Sequence, residues 1–273
     1  MPNENVKKID QSRYVKAGTS VPVDHVLTPG GYRHKSQVHY VASGYTVSRK
    51  AGTKQPPRAT RSLGVPLLGS GWITCASWTN TTGQPITLFS SSWVVPPAPA
   101  TQSGQTIFIF NSLTDIAQDD IVQPVLQWGV GAPGGGNYWA VANWYVAPDG
   151  SAYYSKLAQV QEGDVVVGKI ALTNQSVGSF SYQAEFVGIL QTILKVPNVS
   201  ELSVATETLE AYQISACSDY PDTSATSMSS IDLQTGGSPA PLIWVATNKV
   251  VDCGQQTNIV SNANPGGQVD LVY

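Results

Sequence analysis

The stretch IVQPVLQWGVGAPGGGNYWAVANWYV, residues 121 to 146, decides the fold and raises the question of function. Two runs of β-branched, aromatic and apolar residues flank a glycine-rich segment, which is the pattern of an antiparallel hairpin. Alternation in the first run places Gln123 and Gln127 on one face and Trp128 with the apolar residues on the other. A plain sandwich would carry Thr and Val where these amides stand. We therefore expect the amide face to line a binding groove.

The rest of the chain after residue 71 continues the same alternation of strands and turns. About eleven short strand signals follow one another, beginning with ITLFSSSWVVP, residues 86 to 96, and no segment carries apolar residues at helical spacing. The 25 Gly and 18 Pro residues also favour turns over helices. The sequence predicts an all-β fold, an antiparallel β-sandwich or jelly roll spanning residues 71–273.

Residues 1–70 form a separate segment that is distinguished by its charge. They carry eleven basic residues against three acidic ones, a net charge of +8, whereas residues 71–273 carry four lysines against fifteen carboxylates, a net charge of −11. Opposite charges make the two parts natural partners. The basic residues are spaced among Val, Pro, Gly and Tyr and are not clustered, so a nucleic-acid-binding arm is the weaker interpretation. We expect a segment laid over an acidic body and a possible propeptide, ending in the Pro/Gly/basic stretch KQPPRATRSLGVPLLGSG.

Several classes of function are disfavoured by composition. All three histidines lie in the first 70 residues, so the body lacks the imidazole of Ser-His, Cys-His and most zinc sites. No apolar run approaches the roughly 20 residues that cross a bilayer. Neither a metal nor a cofactor is expected. MPNENVKKIDQSRY at the start lacks the apolar stretch of a secretory signal, so the sequence either starts after a removed leader or never had one. A secreted monomer that binds neither nucleic acid nor membrane is expected.

Three cysteines form no CxxC motif. Cys217 and Cys253 both lie late in the chain beside turn-rich loops, which makes them the favoured disulfide pair and leaves Cys75 as a buried thiol. Three reduced cysteines remain the alternative.

Acid/base chemistry in a body without histidine falls to carboxylates, helped by amides and hydroxyls. In the strand SVATETLEAYQI, alternation groups Glu210 with Thr208 and Tyr212, and places Glu207 on the opposite face. Glu210 could also be an ordinary solvated carboxylate, and some of the aromatic residues of YWAVANWY must fill the core because they fall on both faces.

These residues carry a resemblance that extends from about residue 72 to the C-terminus. The body resembles the glutamic peptidases, the eqolisin family, whose fold is a concanavalin-like sandwich. The matching features, in chain order, are Trp78-Thr79-Asn80, Ser92-Trp93-Val94-Val95-Pro96, Leu126-Gln127-Trp128-Gly129, Glu162-Gly163-Asp164, and Ala205 followed five residues later by Glu210. One strand differs: the family's Trp and Asp are absent from Ile107–Ser112. Family members are made with a basic pro-segment on an acidic enzyme, as the charge division here suggests.

The resemblance implies an acid-acting endopeptidase whose substrate is a polypeptide. Glu210 is the expected general base and acid, and Gln127 the expected oxyanion donor. Acidification, by protonating the body's carboxylates, is also expected to weaken its hold on residues 1–70. The expected substrate-binding residues are Gln123, Trp128, Tyr138, Trp139, Trp144, Thr208 and Tyr212.

Three alternatives remain open. Aromatic residues on a sheet also stack on sugar rings, so a carbohydrate-binding, lectin-like protein is the principal one. A glycosidase needs two facing carboxylates, for which Glu210 with Glu185 or Asp115 is available. Asp119 and Asp120 are candidate calcium ligands, but no Gly stands at the spacing of a calcium loop.

Overall fold

The computed structural model describes residues 21, 23–48 and 71–273. These residues form nineteen strands and three single-turn 3₁₀ helices, at Lys35–Gln37, Leu190–Thr192 and Cys217–Asp219. The strands are β1 (His25–Thr28), β2 (Gly31–His34), β3 (Val38–Tyr40), β4 (Gly71–Thr79), β5 (Ile86–Val94), β6 (Thr106–Thr114), β7 (Ile121–Gly131), β8 (Gly134–Val146), β9 (Ala152–Tyr154), β10 (Ala158–Gln159), β11 (Val165–Ser176), β12 (Ser179–Phe186), β13 (Leu194–Val199), β14 (Val204–Tyr212), β15 (Ala225–Thr235), β16 (Ser238–Pro239), β17 (Val245–Asn248), β18 (Gln256–Ser261) and β19 (Gly267–Val272).

Two large sheets make up the body. Sheet 1 has nine strands in the order β17-β4-β14-β6-β7-β8-β9-β3, with β10 paired to β8. Sheet 2 has eight strands in the order β13-β12-β11-β5-β15-β19-β18, with β16 paired to β15. Apart from β3, which runs parallel to β9, the pairings within both sheets are antiparallel in the described residues. The predicted all-β antiparallel sandwich is confirmed.

The main core lies between the two sheets. On the inner face of sheet 1, Ile109, Leu126 and Leu209 pack in one buried cluster with Phe89 and Ile170 of sheet 2. Burying such side chains supplies the dominant stabilisation, since each contributes about 1.5–3 kcal/mol when fully removed from water.

The outer face of sheet 1, turned away from sheet 2, carries a second buried cluster. Phe108, Val125 and Trp144 belong to it, together with Leu27 of β1 and the partly buried Tyr32 of β2. Residues of the basic N-terminal segment therefore cover this face of the sheet. The opening hairpin is β7–β8, and its amide-bearing face is the covered one.

Some strands were not expected. The edge strand β13, the strand β4 that begins the body and the long strand β15 lie outside the sequence patterns that indicated strands. In β15 the inward residues Met228, Ile231 and Leu233 are fully buried, but two consecutive serines after Met228 and a register shift there break the alternation.

The expected disulfide between Cys217 and Cys253 is confirmed, and Cys75 is a buried free thiol. In the described part of the chain, no helix has the length and apolar character needed to cross a membrane. Residues 54–70 of the predicted processing stretch lie outside the described residues.

Candidate functional site

Glu210 of β14 lies on the outer face of sheet 1 and is fully buried. Its Oε1 atom accepts a hydrogen bond of 2.8 Å from the backbone N–H of Gly30 and another from the hydroxyl of Tyr212. Its Oε2 atom is buried and has no hydrogen-bond partner among the described residues. A buried carboxylate oxygen without a partner is costly and is uncommon in folded proteins.

Burial raises the pKa of Glu210 to about 7. Removing a carboxylate from water disfavours its charged form, and this effect outweighs the opposing ones. The hydrogen bonds from Tyr212 and Gly30 lower the pKa, as do the nearby positive charges of Lys249 and Arg33. A perturbed carboxyl with several polar neighbours is typical of an active site.

Gln127 of β7 stands in the same row of the sheet as Glu210. Glu210 pairs with Phe108 of β6, and Phe108 pairs in turn with Gln127. Residues opposite one another in an antiparallel sheet share a face, and two strand spacings correspond to about 10 Å between Cα atoms. The two predicted catalytic residues are therefore brought to one row of the outer face, separated by the ring of Phe108.

The amide of Gln127 is held at the turn end of the β7–β8 hairpin, where glycines lie in both strands. Its Nε2 donates to the carbonyl oxygens of Gly129 and Gly134, at 2.9 Å each, and its Oε1 is buried without a described partner. Both N–H groups are thus occupied in the covered protein. The glycines allow this arrangement, because a Cβ on Gly135 would lie 2.2 Å from the Gly129 carbonyl oxygen and 2.6 Å from the Gln127 nitrogen.

A ladder of hydroxyl groups runs along the outer face beside Glu210. Ser112 and Thr206 lie 2.7 Å apart, and Thr206 and Thr208 lie 2.9 Å apart, measured between hydroxyl oxygens. Thr208 also stands opposite Cys75 of β4. Hydroxyl groups both donate and accept hydrogen bonds, so this row can bind either donor or acceptor groups of a ligand.

The β1–β2 hairpin covers Glu210. Its turn carries Gly30, whose N–H contacts the carboxylate, while the Leu27 carbonyl accepts a 2.8 Å bond from the N–H of Ala132 in the β7–β8 turn. Arg33 donates to the Gly150 carbonyl at 2.7 Å, and the ring of Tyr32 meets that of Tyr212 edge to face. Polypeptide backbone therefore already occupies the outer face at the candidate site.

The other predicted substrate-binding residues divide between the two faces. Gln123 and Trp144 are cross-strand partners, and Trp144, like Tyr212, belongs to the outer cluster, while Thr208 shares the face of Glu210. Tyr138 is 37% exposed and directly precedes Trp139, at which the buried part of β8 begins.

Trp128 and Trp139 lie elsewhere than expected for substrate-binding residues. Both are buried in the core between the sheets, with their ring centroids 5.4 Å apart. They pair directly across β7 and β8, and the side chains of paired residues point to the same face of a sheet. Both rings therefore point inward, away from Glu210. Their role in the described structure is packing.

The structure does not assemble the alternative carboxylate pairs. Glu185 lies in sheet 2, where it pairs with Lys169 at 3.1 Å. Asp115 follows the end of β6, seven residues beyond Phe108, the partner of Glu210, which is roughly 20 Å along a strand. Asp115 instead accepts the N–H of Asp119. No metal-binding group of three His, Cys, Asp or Glu residues occurs in the described parts of the chain.

Sequence reasoning missed two features of this site. The turn Thr28-Pro29-Gly30-Gly31 carries the strong turn signal Pro-Gly-Gly, but nothing in it indicates contact with Glu210. Lys249, one of four lysines in the body, carries no local signal, because its position depends on the pairing of β17 with β4.

Neither protein-family models nor curated proteins give a match to this chain. Several solved structures, however, match it in fold. Scytalido-glutamic peptidase, crystallised with a peptide-based transition-state analogue, is 16% identical with a TM-score of 0.46, over 74% of this chain and 98% of that one.

In fold, the chain is similar to glutamic peptidases. A second such structure, an eqolisin-family peptidase in complex with the tripeptide Ala-Ile-His, is 15% identical with a TM-score of 0.43, over 74% of this chain and 98% of that one. A toad ovary galectin in complex with thio-digalactose is 13% identical with a TM-score of 0.30, over 50% of this chain and 91% of that one. Identities and TM-scores at this level carry no activity to the chain, so its function is proposed from its own residues.

Proposed function

We propose that this protein is an acid-acting glutamic endopeptidase, made with its N-terminal segment covering the active site. One observation carries the proposal: the Glu210 carboxylate, buried on the outer face of sheet 1, accepts a backbone N–H from Gly30 of a hairpin laid over it. A face that binds polypeptide backbone next to a perturbed carboxyl has the elements that a peptide hydrolase needs.

In the proposed reaction, Glu210 as carboxylate takes a proton from a water molecule whose oxygen attacks the peptide carbonyl carbon. It then gives that proton to the leaving nitrogen as the C–N bond breaks, which completes a general base and acid cycle. The Gln127 amide donates to the oxyanion that forms between these steps. Removing such a donor typically costs about 2.7–4 kcal/mol of barrier. Because both N–H groups of Gln127 are bonded to the turn in the covered protein, this role requires its side chain to turn toward the substrate after uncovering.

Removal of the segment also explains how Glu210 can work in acid. Burial is the largest cause of its raised pKa, and departure of the hairpin re-admits water to the carboxyl. Its pKa then falls toward the ordinary value of 4.5, so that a useful fraction is ionised in acid solution.

The accompanying proposals concern the segment and the environment of the protein. Residues 1–70 act as a propeptide, and the mature monomer takes polypeptide substrates. The disulfide between Cys217 and Cys253 supports secretion, because disulfides persist in oxidising compartments.

Carbohydrate binding has less support from the geometry. Stacking on a sugar requires an accessible ring face, but Trp128 and Trp139 lie between the sheets and Trp144 is fully buried. An acid-treated sample showing no hydrolysis but saturable binding on a glycan array would favour that alternative.

The test is hydrolysis of a denatured protein across pH 2 to 7, by the intact chain and after acid incubation. We expect acid-limited cleavage that Glu210→Gln and Gln127→Ala abolish. Glu207→Gln is the matched control, since Glu207 is equally buried three residues away on the inner face of the same strand. Hydrolysis that survives Glu210→Gln, or its absence at every pH from folded and processed protein, would contradict the proposal.

A further inference from the structure

Lys249 occupies an unusual position for a lysine. It follows β17, and its backbone N–H donates to the carbonyl of Ile73 at 2.9 Å, which fixes the residue at the edge of β4. Its Nζ atom is inaccessible to solvent and lies 5.6 Å from the ring centroid of Trp72. A cation over the face of a tryptophan is attracted by the ring quadrupole. The side chain is therefore anchored at both ends.

Trp72 connects this lysine to the candidate site. In the pairing of β14 with β4, the residue opposite Glu210 is Trp72, and both lie on the outer face. Following the row across the sheet, Lys249 over Trp72 comes first, then Glu210, then Phe108 and Gln127. The ammonium group stands at one end of the row that holds the two proposed catalytic residues.

Each element packed around Glu210 contributes an identifiable group. Tyr212 lies on the same strand, Arg33 comes from the covering hairpin, and Lys249 follows β17; β6 and β7 present the uncharged Phe108 and Gln127. On β4, the thiol of Cys75 also interacts with the lysine. When the hairpin leaves, Arg33 leaves with it. Lys249 is then the cation that stays beside Glu210 among these groups.

A buried ammonium group is expensive unless a negative charge compensates it. Burial lowers the pKa of Lys249, whereas Glu210 and Cys75 act in the opposite direction. Because burial raises the pKa of Cys75 to about 11, its thiol is neutral in acid, and the compensating carboxylate is Glu210.

We infer that Lys249 is a positioning residue for Glu210: its ammonium group, anchored over Trp72, favours the carboxylate form that acts as the base. The inference rests on the proposed function for its consequence in catalysis, but its electrostatic part can be measured without activity. A lysine that only anchored the segment after β17 to Trp72 would have no effect on the ionisation of Glu210.

The first experiment titrates Glu210 in the intact chain by infrared difference spectroscopy of the carboxylic C=O stretch. Its band is identified by subtracting spectra of Glu210→Gln made in the same background. We expect Lys249→Met to move the titration midpoint up by about one pH unit, because a nearby opposite charge is lost. Lys249→Arg, which keeps the charge, and Lys156→Met, which removes an exposed lysine, should leave the midpoint unchanged. An unchanged midpoint in Lys249→Met overturns the inference.

The second experiment measures the pH dependence of kcat/KM after removal of the N-terminal segment. The acid limb reports ionisation of the base in the free enzyme, so it should move to higher pH in Lys249→Met and be restored in Lys249→Arg. A decrease in kcat/KM of the same size at every pH, with the acid limb unmoved, would indicate that Lys249 only anchors the segment after β17. If neither the parent protein nor any variant hydrolyses peptide, the proposed function fails, but the infrared titration still decides the role of Lys249. Should Lys249→Met not fold, Lys249→Gln removes the same charge with a polar side chain and carries the same expectations.

Discussion

Two carboxylates of one strand illustrate how a single residue's face decides its chemistry. Glu207 and Glu210 are both fully buried in β14, three positions apart. Glu210 accepts hydrogen bonds from a peptide N–H and a phenol on the outer face, with the positive charges of Lys249 and Arg33 nearby. Both oxygens of Glu207, by contrast, lie in the inter-sheet core without a described hydrogen-bond partner. Glu207 stands opposite Asn111, whose Oδ1 is similarly unpartnered.

Glu207 should make the fold less stable as pH rises. Burial raises its pKa well above the ordinary value of 4.5, opposed only in part by the neighbouring Ser91 hydroxyl. Well below pH 4.5 the group is protonated in both the folded and unfolded states, so its stability contribution is complete there. Above that pH the unfolded chain loses the proton first, and the free energy of unfolding falls by up to about 1.4 kcal/mol per pH unit until the folded pKa is passed.

Glu207→Gln removes this dependence. We expect urea unfolding at pH 4 and pH 8 to show a smaller loss of stability at the higher pH in the variant than in the parent protein. A loss of the same size in both would mean that Glu207 is not the responsible group.

At the scale of elements, the β7–β8 hairpin both pairs two strands and fixes the side-chain amide of Gln127 by hydrogen bonds to its own backbone. The register shifts between Trp128 and Gly129, and the backbone of Gly129 adopts a φ of +85°. Bulges of this kind redirect side chains and are frequent next to active sites. The bulge and the glycines after it bring two carbonyl oxygens onto the Gln127 amide.

Gly135→Ala and Gly134→Ala separate backbone strain from close packing. Both residues have positive φ, of +111° and +103°, so each substitution carries strain of order 1–3 kcal/mol. A Cβ on Gly134 meets nothing within 4 Å, whereas one on Gly135 collides with the Gly129 carbonyl and the Gln127 amide. We expect the Gly135 variant to lose about 1–3 kcal/mol more stability by urea unfolding and to lose more hydrolytic activity. Equal losses in the two variants would show that the close approach to Gln127 is unimportant.

On the scale of the whole molecule, the basic segment and the acidic body are joined by more than opposite charge. The described contacts include backbone hydrogen bonds and the parallel pairing of β3 with β9, which adds a strand of the segment to the edge of sheet 1. Uncovering the site therefore requires breaking sheet pairing in addition to weakening the charge attraction. The expected weakening of the body's hold in acid remains a prediction.

The state in which the N-terminal segment covers the site should be most stable at an intermediate pH. The covered state raises the pKa of Glu210 to about 7, so this carboxyl binds a proton more tightly when covered and favours covering as pH falls from 7 toward 5. Below about pH 4 the other carboxylates of the body are protonated, and the attraction for the basic segment weakens. We expect hydrogen exchange in β1–β3, corrected for intrinsic rates, to be slowest near pH 5. Glu210→Gln should abolish the slowing between pH 7 and 5 but keep the loss of protection below pH 4; protection that persists to pH 3 would contradict charge-driven release.

The sequence by itself determined the sandwich and the division of β7 and β14 into two faces each, and it favoured the disulfide pair that the structure contains. Strands and their faces follow from alternation and turn chemistry, which are local properties, so Gln127 and Glu210 could each be separated from the opposite face of its own strand before any pairing was known. Only the tertiary structure placed them in one row, set Gly30 on the carboxylate, brought Lys249 over Trp72 and directed Trp128 and Trp139 inward together. Register, bulges and contacts between residues as much as 180 positions apart decide such placements, and no short stretch of sequence encodes them.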